Sequence, residues 1–179
     1  VWWTLQTMGA GSVSVLDGGF PKWRAEEKPV TDDVPRKPQS HFTSRLNHGA
    51  VANLSQVKRS TETGNRQLLD ARSAERFDGP APDPSAGLRQ GHLPNALDLP
   101  FTRLIIDDGT VRAHAELETI YADAGVDLKK PVTTTCGSGV TAAILTLGLT
   151  VLGVRDLTLY DGSWTEWGGR DDTEIVTTD

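Results

Sequence analysis

The stretch Pro131-Val-Thr-Thr-Thr135-Cys136-Gly137-Ser138-Gly139-Val140-Thr141, running into the apolar segment 142–152, decides the fold of this chain. Residues 131–135 are dominated by β-branched side chains, a composition that fits a buried strand. Segment 142–152 reads as a core helix with Thr141 as its N-cap. A strand that turns directly into a helix is the joint of an α/β layer structure. The surrounding elements alternate in the same way. Residues 53–59 read as a short helix, 67–71 as an apolar strand and 73–77 as the start of another helix. Segment 78–91, with Pro80, Pro82 and Pro84, cannot continue that helix. Further on, 96–99 reads as a strand, 113–124 as a helix stopped by Gly125, and 157–160 as a strand. The pattern predicts an α/β fold with a mainly parallel central sheet flanked by helices.

Outward from this core the chain carries an internal repeat. Ser12-Val-Ser-Val-Leu-Asp-Gly-Gly-Phe-Pro-Lys-Trp23 aligns with Asp156-Leu-Thr-Leu-Tyr-Asp-Gly-Ser-Trp-Thr-Glu-Trp167 at a constant offset of 144. The same offset pairs Leu5 with Leu149 and Gly9 with Gly153. A repeat of this kind marks two copies of one unit. It predicts that residues 1–23 close a first domain, that the charged, proline-containing segment 24–48 is an interdomain linker, that 49–170 form a second domain, and that 171–179 are a tail.

A net charge of −6 argues against nucleic acid or an anionic membrane surface as partner, since both require a basic face. No apolar run approaches the roughly 18 residues of a membrane span. Val1-Trp2-Trp3 has neither a basic flank nor a cleavage site, which leaves localisation open, with a cytoplasmic or mitochondrial compartment expected. A single cysteine excludes an internal disulfide and argues against a thiolate zinc site.

That lone cysteine, Cys136, stands where strand turns to helix. Gly137 and Gly139 can take the positive φ values that turn successive amides inward, forming an anion-binding nest at a helix N-terminus. Such a nest favours thiolate over thiol and would equally hold a persulfide anion.

Cys-Gly-Ser-Gly-Val-Thr-Ala at 136–142, with Asp161-Gly-Ser-Trp-Thr-Glu-Trp-Gly168 downstream and Leu69-Asp-Ala-Arg72 and Gly91-His-Leu-Pro-Asn-Ala96 upstream, resembles the two-domain rhodanese family, and within it the 3-mercaptopyruvate sulfurtransferases. The resemblance implies a rhodanese-like fold. It also implies a reaction without cofactor or metal, in which Cys136 takes sulfur from a small donor as a persulfide and passes it to a thiol acceptor such as thioredoxin, or to cyanide. On this likeness Cys136 is the nucleophile and Ser138 assists proton transfer to the departing enolate. Gly137, Gly139, Val140 and Thr141 supply the amide cradle, and Arg76 holds the substrate carboxylate. The uncharged Gly137-Ser138 pair, where thiosulfate-using rhodaneses carry basic residues, implies 3-mercaptopyruvate over thiosulfate. The family's second arginine would fall at position 85, which is Ser85, with Arg89 four residues on as a substitute or a structural salt-bridge partner. Asp70, Arg72 and His92 are expected to brace the strand ends, and Trp164 and Trp167 to pack near the cleft. The family's proton relay also draws on a first-domain Asp and His that do not map onto residues 1–23, so slow turnover is expected.

Two other readings compete. A cysteine phosphatase needs Cys-x5-Arg, and position 142 is alanine. A non-catalytic rhodanese-like binding module commonly lacks the cysteine that this chain retains.

Overall fold

The structure, a computed structural model, describes residues 1–79, 81 and 87–177. Ser85 therefore lies outside the described residues. After two short helices, α1 (Trp2–Thr7) and α2 (Gly19–Ala25), an exposed segment without helix or strand leads to a turn of 3-10 helix at His48–Ala50. The α/β body follows: β1 (Val51–Ala52), α3 (Leu54–Thr63), β2 (Gln67–Asp70), α4 (Ala74–Asp78), β3 (Ala96–Asp98), a second 3-10 turn at Phe101–Leu104, α5 (His114–Asp123), β4 (Val132–Thr135), α6 (Ala142–Val151), β5 (Leu157–Tyr160) and α7 (Ser163–Trp167). The strands form one sheet in the order β1-β5-β4-β2-β3, and every pairing within it is parallel. This is the expected α/β sheet flanked by helices. No helix among the described residues is long and apolar enough to cross a membrane.

Alternation along the strands explains the two cores. Leu69 and Val132 face one side, where they pack with Leu104, Leu117, Tyr121, Leu145 and Leu149 of the α5–α6 layer. Leu68 faces the other and joins Val57, Leu93, Tyr160, Trp164 and Trp167. Both tryptophans are at most 1% exposed, so they are core residues. β4 carries the same alternation in threonines. Thr134 Oγ1 meets Thr146 Oγ1 of α6 at 2.8 Å, while Thr133 Oγ1 meets Thr158 Oγ1 of β5 at 2.7 Å on the opposite face. Paired hydroxyls allow polar side chains to fill a fully buried central strand. α6 approaches its neighbours closely at Gly148, where a Cβ would lie 2.5 Å from Tyr121 Oη.

Helix boundaries differ from the sequence expectation mainly at α3, which runs to Thr63 rather than 59. Its start is set by a reciprocal cap, with Asn53 Oδ1 accepting from the Gln56 N–H and Gln56 Oε1 accepting from the Asn53 N–H. Its end is set by Gly64 in the left-handed region.

The two repeat copies share backbone conformation at their helix ends. Gly9 and Gly153 have φ of +91° and +82°, and Gly19 and Ser163, also 144 positions apart, have φ of +61° and +49°. They differ in that β5 has no strand counterpart among residues 13–16. Residues 171–177 pack against the body: Thr173 is buried and Val176 forms an antiparallel bridge with His92.

Candidate active site

Cys136 follows the last residue of β4, the central strand, at the carboxyl edge of the sheet. In doubly wound sheets this edge is where ligands bind. The side chain is 2% exposed and borders the α5–α6 core. The loop after it rises to the surface: Gly137 is half-buried, Ser138 exposed and Val140 73% exposed. Gly139 alone in the loop has positive φ, +82°. Gly137 does not, so the expected pair of left-handed glycines reduces to one. Gly139 is also held by sterics, since a Cβ there would lie 3.0 Å from Asp161 Oδ1 and 3.1 Å from the Asp161 carbonyl oxygen. Thr141 occupies the N-cap position of α6, but its backbone is helical and its hydroxyl makes no capping bond.

The consequence is an open set of donors. Among the described residues, the N–H groups of Gly137, Ser138, Gly139, Val140 and Thr141 donate to no acceptor. Consecutive unpaired amides at the N-terminus of a ten-residue helix form the arrangement that receives an anion. An acyl, phosphoryl or sulfanyl anion would each suit such a cradle.

Downstream residues fix the loop from below. The Trp164 N–H donates to the Cys136 carbonyl at 2.9 Å, and both the N–H and the hydroxyl of Thr165 donate to the Gly137 carbonyl at 2.9 and 2.7 Å. Ser163 Oγ accepts from the Cys136 N–H at 3.3 Å and donates to the Tyr160 carbonyl at 2.8 Å. Ser163 makes both bonds from a left-handed conformation, a strain of about 1 kcal/mol or more that the surrounding contacts must offset. Sequence reasoning quoted this serine and Thr165 in a motif but gave them no role. The available signal was the repeat, in which the residue aligned with Ser163 is Gly19.

A second layer supports Trp164. Arg72 stacks its guanidinium 4.4 Å from the ring centroid. The same group donates from Nε to both oxygens of Asp70 and from Nη2 to Asp70 Oδ2 and the Gly91 carbonyl. Both partners are buried. His92 is stacked on Phe77 at 3.8 Å between centroids, and its Nδ1 lies 2.9 Å from the Phe77 carbonyl, so it acts as a bracing histidine. Arg89 is committed within the protein: its guanidinium donates to the carbonyls of Trp167, Gly168, Arg170 and Thr173 and clamps the end of α7. Arg76 lies on α4, which follows β2, the strand beside β4, and so belongs to the same edge of the sheet as Cys136. Asp98, at the end of β3, is pushed up to about 6, chiefly by burial, with the charges of Asp70 and Asp78 adding and those of Arg72 and Arg103 opposing.

A parallel sheet with a lone cysteine on the loop from its central strand to a helix defines the class, and comparison with known proteins agrees. Residues 53–170 match the family model described as "Rhodanese-like domain", and the chain belongs to that family. It is similar to the 3-mercaptopyruvate sulfurtransferase of Escherichia coli strain K12, 38% identical over 174 residues that cover 97% of this chain and 62% of the relative. It is also similar to the enzyme of that name from Mus musculus, at 35% identity over 98% of this chain and 59% of the relative. The thiosulfate sulfurtransferase of Bos taurus is 37% identical over 95% of this chain and 58% of its own length. Among solved structures, the 3-mercaptopyruvate sulfurtransferase SseA from Escherichia coli superposes with a TM-score of 0.80 at 36% identity, covering 91% of this chain and 60% of that one. The chain thus spans about three-fifths of the length of these relatives.

Proposed function

We propose that this protein is a sulfurtransferase that carries sulfane sulfur on Cys136, with 3-mercaptopyruvate as donor. The observation that carries the reading is the run of unpaired amides from Gly137 to Thr141 beside the only thiol. The relatives named as sulfurtransferases support the reaction class.

In the proposed reaction the Cys136 thiolate attacks the donor sulfur. A sulfur–sulfur bond forms, the carbon–sulfur bond breaks, and its electron pair leaves on the pyruvate enolate, which takes a proton to become pyruvate. The amide cradle holds the persulfide anion until a thiol such as that of thioredoxin, or cyanide, removes the outer sulfur. Ser138, exposed at the loop tip, is positioned by sequence to hand the enolate its proton, and Arg76 to hold the donor carboxylate. The uncharged Gly137-Ser138 pair favours a donor whose charge lies away from the transferred sulfur. That condition fits 3-mercaptopyruvate better than the compact dianion thiosulfate.

Incubation with each donor followed by intact-mass measurement tests the proposal. A gain of one sulfur atom from 3-mercaptopyruvate, absent in Cys136→Ser, is expected. Gain from thiosulfate alone would reassign the donor, and no gain from either would favour a binding module.

A further inference from the structure

Three polar side chains stand in a row at the carboxyl edge of the sheet. Asp70 of β2 pairs in register with Asp98 of β3 on one side and Thr135 of β4 on the other. In-register neighbours in a parallel sheet project to the same face, so these groups adjoin across the strands, and Cys136 follows Thr135 directly. Asp70 is saturated by the Arg72 guanidinium and backbone N–H. Asp98 is not. Its Oδ1 is buried and accepts no hydrogen bond among the described residues. The charged groups acting on it are Asp70 from β2, Asp78 from the end of α4, Arg72 from the loop after β2 and Arg103 from the second 3-10 turn.

The Arg72 guanidinium therefore binds one of the two carboxyls in the row and lies near the other. It is also the group that stacks on Trp164, whose N–H holds the Cys136 carbonyl. Asp98 thus stands beside the carboxylate that seats Arg72, and Arg72 in turn packs on the tryptophan that holds the cysteine loop.

We propose that Asp98 is a positioning residue whose protonation state sets how firmly Arg72 and Trp164 brace the Cys136 loop. When Asp98 is neutral, Arg72 remains seated on Asp70 and Trp164. When Asp98 is charged, two carboxylates compete for Arg72, drawing it away from the Trp164 ring and loosening the hydrogen bonds to Cys136 and Gly137. The consequence for activity rests on Cys136 being the sulfur carrier; the consequence for the loop does not.

The test measures hydrogen exchange of the Trp164 and Thr165 amides, corrected for intrinsic pH dependence, between about pH 5 and pH 7.5. Wild type is compared with Asp98→Asn, a near-isosteric mimic of the neutral acid. Protection is expected to fall with rising pH in wild type and to stay constant in the variant. In parallel, the sulfur-loading rate of Asp98→Asn relative to wild type should be near one at the acid end. It should rise to roughly threefold to tenfold at the alkaline end, the scale of coupling through packed networks. Constant protection in wild type, or the same loss in both proteins, overturns the proposal, as does a rate ratio that is flat with pH. If neither protein gains sulfur, the reading of Cys136 fails, and the exchange data alone decide the role of Asp98.

Discussion

Replacing Gly139 with alanine separates the two demands that the cysteine loop places on this position. The first is conformational: φ is +82°, and an L-residue in the left-handed region costs about 1–2 kcal/mol. The second is steric. The new methyl would sit 3.1 Å from the Asp161 carbonyl oxygen, a backbone atom, and 3.0 Å from Asp161 Oδ1. Overpacking of this kind adds about 1–3 kcal/mol, and the loop rather than the sheet will yield. Gly153→Ala isolates the first demand, because Gly153 has the same φ of +82° with nothing within 4 Å of the added Cβ. Gly153→Ala should therefore lower stability by the conformational cost alone and load sulfur at the wild-type rate. Gly139→Ala should lose about 2–5 kcal/mol, a fall in Tm on the order of 5–20 °C for a chain of this size. Its sulfur loading from 3-mercaptopyruvate should drop by roughly 100-fold, the effect of displacing one donor of a preorganised anion hole. Adding Asp161→Ala to Gly139→Ala removes the side-chain contact but neither the carbonyl contact nor the strain, so recovery should be partial. Calorimetry and rapid-quench intact-mass kinetics read both quantities. Loading by Gly139→Ala within twofold of Gly153→Ala would refute the argument that this approach to Asp161 shapes the cradle.

Arg72→Ala should cost about 3–5 kcal/mol in urea denaturation, because it strands the fully buried Asp70 carboxylate and also uncovers the Trp164 ring. Asp98→Asn should change the pH dependence of stability in a defined direction. The folded-state value near 6 lies above the ordinary 3.8, so the native protein binds this proton more tightly than the unfolded chain. Its contribution is fully present below 3.8 and is lost as pH rises through 6. The variant should match wild type near pH 3.5 and be the more stable above pH 7 by about 1–2 kcal/mol, a figure already discounted for the partly exposed side chain. Urea midpoints at the two pH values measure it, and a variant less stable than wild type at pH 8 would contradict the sign.

The sheet was legible because its strands carry local signals. The β-branched run before Cys136 and the Leu68-Leu69 pair are buried on both faces, and such strands declare themselves by composition. β1 was not read: it has two residues and exists only because Val51 and Ala52 pair with Leu159 and Tyr160, a long-range fact with no local trace. α7 was missed for a related reason. It is five residues long and begins at Ser163 with positive φ, where tertiary bonds to Cys136 and Tyr160 override a poor helix start. The cysteine loop was visible as a motif, but its floor was not.

What the structure adds to the motif is a division of labour between atoms that face the sulfur and atoms that hold the loop. The carbonyls of Cys136 and Gly137 are drawn downward by Trp164 and Thr165, while the amides of residues 137–141 have no acceptor among the described residues. A loop whose first two carbonyls are committed on one side and whose following nitrogens are free on the other is polarised for an anion before any ligand arrives. The residues responsible are distant in sequence and belong to the opposite core, where Trp164 is pinned by Arg72 above and by its indole N–H to the Arg89 carbonyl at 3.0 Å. Stability of that core and reactivity at Cys136 are therefore coupled. A substitution in the Asp70–Arg72–Trp164 stack should register first as a slower cysteine and only at higher denaturant as an unfolded domain.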